Sequence, residues 1–430
     1  MLVSRSTPIP LVGRPAGAIL FRRPGQDVTA GAFAAAAACL AASLPATGPA
    51  INVCMDRYAF ALAFAAACLR GHASVLTSDA SPGRLAALRA QYPDGYTVDD
   101  ARTWLTECRS ADIIPSIPAD QPAAIVFTSG STGAPVGHCK TWGALAERSI
   151  DAAAAFGLDP AHPATLVGTV PPQHMYGFET TVLWPLHAPL SVWCGPVFYP
   201  ADTRAALSAC PTPRLLVTTP LQLRGLLEGP ALPGMDRVIS ATAPLDQALA
   251  ERAERAWNTT VSEIFGATEV GSIAARCTAN GPAWTLYPRI TLREQDGRLL
   301  VEAPYASPTP LDDALDIGVD RRFTLRGRRS DVVKLAGRRA SLAGLNSILL
   351  GIDGVLDGVF VAPDAACHHA ARMTAFVVAP GRDADAILAE LRALIDPAFL
   401  PRRVVQVDRL PRNDLGKLPL QALQPLRAGS

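Results

Sequence analysis

Lysine is almost missing from this chain. Of its 39 basic residues only Lys140, Lys334 and Lys417 are lysine, and the rest are arginine. A position that keeps lysine against that bias is a candidate for work needing a compact ammonium on a flexible stem, which a planar guanidinium cannot imitate. An excess of charge of either sign is missing too. A net charge of +1 leaves no basic footprint for nucleic acid and none for an acidic membrane surface, so a small molecule or a protein is the expected partner. The nine cysteines contain no C-x-x-C pair, which removes the usual zinc and redox spacings and suits a reducing cytoplasm. Cys367-His368-His369 has no second ligand pair and reads as a polar surface loop. Long apolar runs are absent as well. Ala32 to Ala42 and Ala59 to Leu69 are shorter than the ~20 residues of a spanning helix and read as buried helices, with no membrane insertion expected. The first residues lack the charged, apolar, small order of a secretory signal.

What is present is an alternation. At 430 residues the chain exceeds one ordinary core. Short β-branched runs at Ala73 to Leu76, Ala124 to Phe127, Leu215 to Thr218, Arg237 to Ser240 and Val261 to Phe265 read as strands. Helical stretches at Tyr58 to Leu69, Leu85 to Arg89, Leu221 to Leu227 and Gln247 to Trp257 are interspersed with them, which predicts α/β layers. Around residues 300–330 the texture turns Pro-interrupted, as at a domain junction. Beyond it a helix at Leu342 to Leu350, strands at Val355 to Val361 and Thr374 to Val378, a helix at Ala384 to Ile395 and a strand at Arg403 to Val407 suffice for a small α+β domain.

Ile125 to Lys140 reads IVFTSGSTGAPVGHCK, an apolar run followed by a Gly/Ser/Thr loop. Successive backbone N–H groups in such a loop can form a nest for phosphate oxygens. Neither a Walker A lysine nor G-x-G-x-x-G is present, so a plain hairpin turn is the competing reading of this segment alone. Further along come Pro172-Gln173-His174-Met175-Tyr176-Gly177, Ala241-Thr242-Ala243-Pro244-Leu245, Phe265-Gly266-Ala267-Thr268-Glu269, Gly327-Arg328 with Asp331 and Lys334, and Pro411 to Lys417. Taken in this order, the segments resemble the motifs of the adenylate-forming superfamily of acyl-CoA synthetases, NRPS adenylation domains and luciferases.

That resemblance implies a large multi-layered N-terminal domain (1–329) with mixed sheets and flanking helices, and a small mobile α+β C-terminal domain (330–430). It implies ATP-dependent, Mg²⁺-assisted activation of a carboxylic acid to an acyl-adenylate, followed by transfer to a phosphopantetheine thiol on an acyl carrier protein or CoA. In these terms Thr128, Ser129, Gly130, Ser131, Thr132 and Gly133 hold the β- and γ-phosphates, and Thr268 the α-phosphate. Glu269 supplies an oxygen to Mg²⁺, and Ala243, Pro244, Phe265 and Gly266 adjoin the nucleotide. The family spacing selects Asp313 from among Asp312, Asp313 and Asp316 as the ribose partner, with Arg328 beside it. Lys417 bridges the acid and the α-phosphate. His174, Met175, Tyr176, Phe178, Ala241, Gly266 and Gly271 are the candidate acid pocket, and its aromatic, imidazole-bearing character suits a small aryl acid. Ser330 and Asp331 are hinge candidates, and Lys334 to Gly337 the segment turned toward the thiol. The short chain and the PPQHMYGFE segment most resemble compact ligases that load hydroxybenzoate onto acyl carrier protein in xanthomonadin-like aryl polyene synthesis.

Two departures stand out. Pro135-Val136-Gly137 occupies the place of the family's P-K-G, so the loop lacks its own cation, with Lys140 as the candidate replacement. The T-G-D ribose motif is not spelled out. Two other outcomes stay open: a CoA ligase for an aryl or fatty acid, and a non-catalytic acyl-nucleotide-binding protein.

Overall fold

A computed structural model describes residues 7–77, 79–100, 113–128, 136–328, 332–335, 338–362, 373–412 and 418. Its architecture is a mixed α/β fold with one dominant sheet. Six parallel strands, at Ile19–Arg23, Leu190–Trp193, Ala164–Gly168, Arg214–Thr218, Arg237–Ser240 and Thr260–Ala267, lie side by side in that order. Antiparallel strands extend both edges to eleven. Neighbouring residues on the strands point to opposite faces. Val167, Leu216 and Val238 therefore join one core with Leu223, Ala250 and Trp257, while Leu166, Leu215, Val217 and Ile239 join a larger one with Phe60, Phe64 and Leu183. A sheet covered on both faces accounts for strands that read as continuous apolar runs.

A second sheet places Tyr96–Val98, Ala50–Asn52, Ser74–Leu76 and Pro122–Thr128 in parallel, with Val136–Thr141 added antiparallel at its edge. Between the sheets runs the helix Arg57–Arg70, buried over nearly its whole length. Its cap residue Asp56 accepts the Ala59 N–H at 2.8 Å. Arg57 donates to the carbonyls of Gly168 and Val170 at 2.9 Å each, which ties this helix start to the end of a central strand. The Ala-rich segments are thus buried helices, and no described helix is long and apolar enough to cross a membrane.

The Pro-interrupted stretch is strand-forming: Arg298–Glu302, Thr309–Leu311, Asp313–Ile317 and Arg322–Arg328 follow one another, and the last two join the dominant sheet. After them, Leu342–Leu350 and Ala384–Leu394 pack on strands Asp357–Val361, Thr374–Val378 and Arg403–Gln406 around Leu349, Phe360, Ile387 and Leu391. Among the described residues Cys39 is disulfide-bonded, a pairing of which the scattered spacing gave no sign.

Candidate active site

Three of the motifs follow the carboxyl ends of parallel strands in the dominant sheet, where open α/β sheets take their ligands. The Ala164–Gly168 strand runs out toward the His174 segment, Arg237–Ser240 into Ala241 to Leu245, and Thr260–Ala267 into Thr268-Glu269. Thr242 sits at φ 80°, an uncommon conformation for a β-branched residue. The segment is anchored from below. Leu245 N–H donates 2.8 Å to Glu263, a buried carboxylate that burial pushes upward in pKa and that Arg276 and Thr278 hold in place.

Two hairpins form the mouth. The first joins Pro122–Thr128 to Val136–Thr141, with Thr128 opposite Val136. Ser129, Gly130, Ser131, Thr132 and Gly133 lie outside the described residues, so the structure gives the strands that frame the glycine loop. The second joins Thr260–Ala267 to Gly271–Cys277, with Ala267 opposite Gly271 and Gly266 opposite Ser272. Val270 N–H closes the turn on the Ala267 carbonyl at 3.0 Å, leaving Thr268 and Glu269 at its tip. A Cβ on Gly266 would overlap the Gly271 carbonyl oxygen, and Gly271 lies at φ 94°, so both glycines are required for the two strands to close this tightly.

Lys140 joins the hairpins. Its Nζ donates to the Glu269 backbone carbonyl, and His138 Nε2 stands 4.0 Å from the Glu269 carboxylate. The loop setting expected for Lys140 is not what the structure has: it belongs to the Val136–Thr141 strand and is 7% exposed. Burial lowers its pKa to about 8, against the opposing fields of Glu179 and Glu269. The reason is position along the strand. Alternation puts Val136, His138 and Lys140 on one face, and Lys140 lies at the end that meets the Glu269 turn, whereas Val136, at the loop's end, is 52% exposed.

The pocket candidates divide. Tyr176 is buried, with its hydroxyl 2.8 Å from the Ile239 carbonyl and 3.2 Å from that of Thr218, so it braces the ends of two central strands. His174 caps the following helix by accepting from the Tyr176 N–H at 3.3 Å. Phe178 is fully buried, edge-on to Phe64 at 4.9 Å and to Phe60 at 6.3 Å. Met175 approaches Gly271: a Cβ there would lie 3.5 Å from its terminal methyl. Ala241 is buried beside them at the end of the Arg237–Ser240 strand.

Further along, Asp313 and Arg328 are register partners across an antiparallel pair. Asp313 is buried, Asp312 is exposed, and Asp316 is exposed and ion-paired with Arg326. Lys334 lies in the strand Val332–Leu335, opposite Arg339. Ser330, Asp331, Gly337 and Lys417 lie outside the described residues, as does the Cys367 to His369 cluster.

Sequence reading missed a buried ionic cluster under the second hairpin. Glu179 opens a π-helical turn, Glu179–Leu183, within an otherwise α-helical passage, a distortion frequent at functional sites. Its carboxylate accepts from Ser272 N–H at 3.1 Å and from the Ser272 hydroxyl. Arg148, on the helix Trp142–Ala155, is 4% exposed and within the same field. Burial raises the pKa of Glu179 and lowers that of Arg148. The available signal was an ionisable residue inside an apolar run, as in FETTVLW.

For a Mg²⁺ ion the donor set fits the usual pattern of few protein ligands. Glu269, 39% exposed on its side chain, is one carboxylate at the turn, and the remaining oxygens would be phosphate and water. Among the described residues no group of three acidic, histidine or cysteine ligands competes with it.

Residues 85–293 match the model of the AMP-binding enzyme family. A stretch of 232 residues, 54% of this chain, is 31% identical to a 4-coumarate–CoA ligase of Rhodobacter capsulatus and spans 58% of that protein's length. A fatty acid–[acyl-carrier-protein] ligase, ScoC of Streptomyces coeruleorubidus, is 26% identical over 73% of this chain and 68% of its own. Among solved structures, the O-succinylbenzoate coenzyme A synthetase MenE of Bacillus subtilis, in complex with AMP, superposes with TM-score 0.81 at 19% identity, covering 97% of this chain and 98% of its own. ATP-bound MatB of Rhodopseudomonas palustris gives 0.80 at 18%, covering 96% of each chain. The chain therefore shares its fold with these two structures.

Proposed function

We propose, on the support that the family model and the shared fold lend to the AMP-binding enzyme family, that this chain is an AMP-forming acid–thiol ligase. A carboxylate attacks the α-phosphate of ATP, releasing pyrophosphate and leaving an acyl-adenylate. A phosphopantetheine thiol then takes the acyl group and AMP departs. The observation that carries the reading is the junction of the two hairpins: Lys140 holds the Glu269 carbonyl, so the Thr268-Glu269 turn and the frame of the glycine loop meet at the carboxyl edge of the parallel sheet.

In this mechanism the loop from Thr128 to Gly133 cradles the β- and γ-phosphates with N–H groups and hydroxyls, and Thr268 contacts the α-phosphate. Glu269 holds Mg²⁺, whose charge offsets that of the phosphates. Ala243, Pro244, Phe265 and Gly266 flank the nucleotide, and Asp313 with Arg328 holds the ribose. Charge is the obstacle, because an anion must approach a polyanion, and prearranged donors and cations answer it electrostatically. Lys417 is the cation for the acid carboxylate. It belongs to a lid formed by residues 330–430, which turns about Ser330 and Asp331 on the body 1–329 and then brings Lys334 to Gly337 toward the thiol.

The acid we infer is a small aryl acid such as 3- or 4-hydroxybenzoate, held near His174, Met175, Tyr176, Phe178, Ala241 and Gly271, as for an aryl polyene pathway of the xanthomonadin kind. The acceptor we infer is an acyl carrier protein in the cytoplasm, a reading that the ScoC relative favours; the 4-coumarate–CoA ligase relatives favour CoA as the second reading. Acid-dependent ATP–pyrophosphate exchange over benzoates and fatty acids tests the first half-reaction. Exchange peaking on a hydroxybenzoate supports the reading, exchange peaking on a fatty acid removes the aryl assignment, and none with any acid leaves only a nucleotide-binding role.

A further inference from the structure

The buried charged groups under the Thr268-Glu269 turn are not all hydrogen-bonded among the described residues, although Glu179 and Asp151 offset the charge of Arg148. Lys140 is engaged by the Glu269 carbonyl, and Glu179 by both donors of Ser272. Asp151 is engaged through Oδ1 by Arg289 Nε at 2.8 Å, while its Oδ2 has no hydrogen-bond partner among the described residues. Arg148, nearly inaccessible to solvent, keeps Nε and Nη1 without a hydrogen-bond acceptor among the described residues. A guanidinium can only donate, and leaving its N–H groups buried and unmet is costly. An apolar residue would serve a purely structural role at less cost.

The location of those donors gives them a use. A Cβ built on Gly271 would stand 3.8 Å from Arg148 Nε, 3.8 Å from Glu179 Oε2 and 3.5 Å from the Met175 methyl. A cation, a carboxylate already bonded elsewhere and an apolar methyl thus converge beside the residue that closes the Thr268 turn. An acid whose carboxyl meets the α-phosphate at Thr268 would extend its remote end along Gly271 toward this point.

We propose that Arg148 is a specificity-determining residue that donates to an acceptor oxygen, a hydroxyl or a second carboxylate, at the end of the acid substrate remote from its reacting carboxyl. This rests on the ligase reading and on the pocket around Met175 and Gly271. A site built to hydrogen-bond a substrate group discriminates strongly against the analogue that lacks it, because its own donors are then left unpaired.

The test compares benzoate, 3-hydroxybenzoate, 4-hydroxybenzoate and benzene-1,4-dicarboxylate in ATP–pyrophosphate exchange, using wild type, Arg148→Met and Arg148→Lys, each checked for an unchanged melting profile. The expected result is a wild-type preference for acids bearing an acceptor. The ratio of kcat/KM for the preferred acid over benzoate should fall about tenfold to hundredfold in Arg148→Met and recover in part in Arg148→Lys. Preference for the dicarboxylate identifies an anion, and preference for a hydroxybenzoate a neutral acceptor. A ratio unmoved by Arg148→Met overturns the proposal. If no acid supports exchange, the ligase reading falls by itself, and calorimetric titration of 4-hydroxybenzoate and of the dicarboxylate decides this one. Binding that Arg148→Met weakens upholds it, and binding that is absent or equal in both proteins overturns it.

Discussion

At the scale of single residues, the missing loop lysine and the surviving strand lysine have different jobs. Lys140 is committed to a backbone carbonyl inside the protein, so it is not free to replace a cation at position 136. Val136→Lys, on an exposed strand end beside the glycine loop, is therefore expected to lower KM for ATP by about threefold to tenfold through an added charge-assisted contact. An unchanged KM would mean that the loop backbone already suffices. Lys140 also makes stability depend on pH. Its pKa is about 8 in the folded protein, below the ordinary lysine value of 10.5, so between those pH values the unfolded chain binds more protons than the folded one. Stability then rises with pH through that window, and the cost of burying the ammonium is fully present below it. Urea midpoints at pH 7 and pH 9.5 should move in favour of wild type relative to Lys140→Met as pH rises, with a limiting slope of about 1.4 kcal/mol per pH unit. Midpoints that move in parallel would contradict the assignment.

At the scale of elements, local pattern and long-range contact separate. The helix Gln247–Trp257 was legible to the residue, because Asp246 caps it, Leu249, Ala250, Ala253 and Trp257 form one buried face, and Asn258 ends it in a left-handed conformation. The strands Arg237–Ser240 and Thr374–Val378 were equally legible as short β-branched runs between breakers. What could not be read locally was partnership. Lys140 and Glu269 are 129 positions apart, and Glu179 and Ser272 are 93 apart, so no window of sequence contains either pair. Spacing also marked Phe178 and Met175 alike as apolar, whereas only packing sends one against Phe64 and the other toward Gly271. The tightest demand at this scale is the Gly266 to Gly271 closure. Gly266→Ala should force the two strands apart, lower stability by about 1–3 kcal/mol and abolish acid-dependent exchange, readable as a fall in Tm together with loss of pyrophosphate exchange. A variant with wild-type exchange would show that the turn geometry is dispensable.

At the scale of the whole molecule, the proposed reaction is divided between two parts of the chain. The dominant sheet carries the Thr268-Glu269 turn and the Asp313–Arg328 pair, and the second sheet the glycine-loop frame that Lys140 joins to the turn, while the proposed cation for the acid carboxylate lies about ninety residues beyond Arg328, at Lys417. Such a division is expected to separate the half-reactions, since a hinged lid can serve the two steps in two orientations. The most direct measurement is therefore a comparison of both half-reactions in wild type and Lys417→Ala: ATP–pyrophosphate exchange with the preferred acid, and thioester formation from supplied acyl-AMP with carrier protein or CoA. The account predicts that the variant loses exchange almost entirely and keeps most of its thioester formation. Equal loss in both half-reactions, or exchange that survives the substitution, would contradict it.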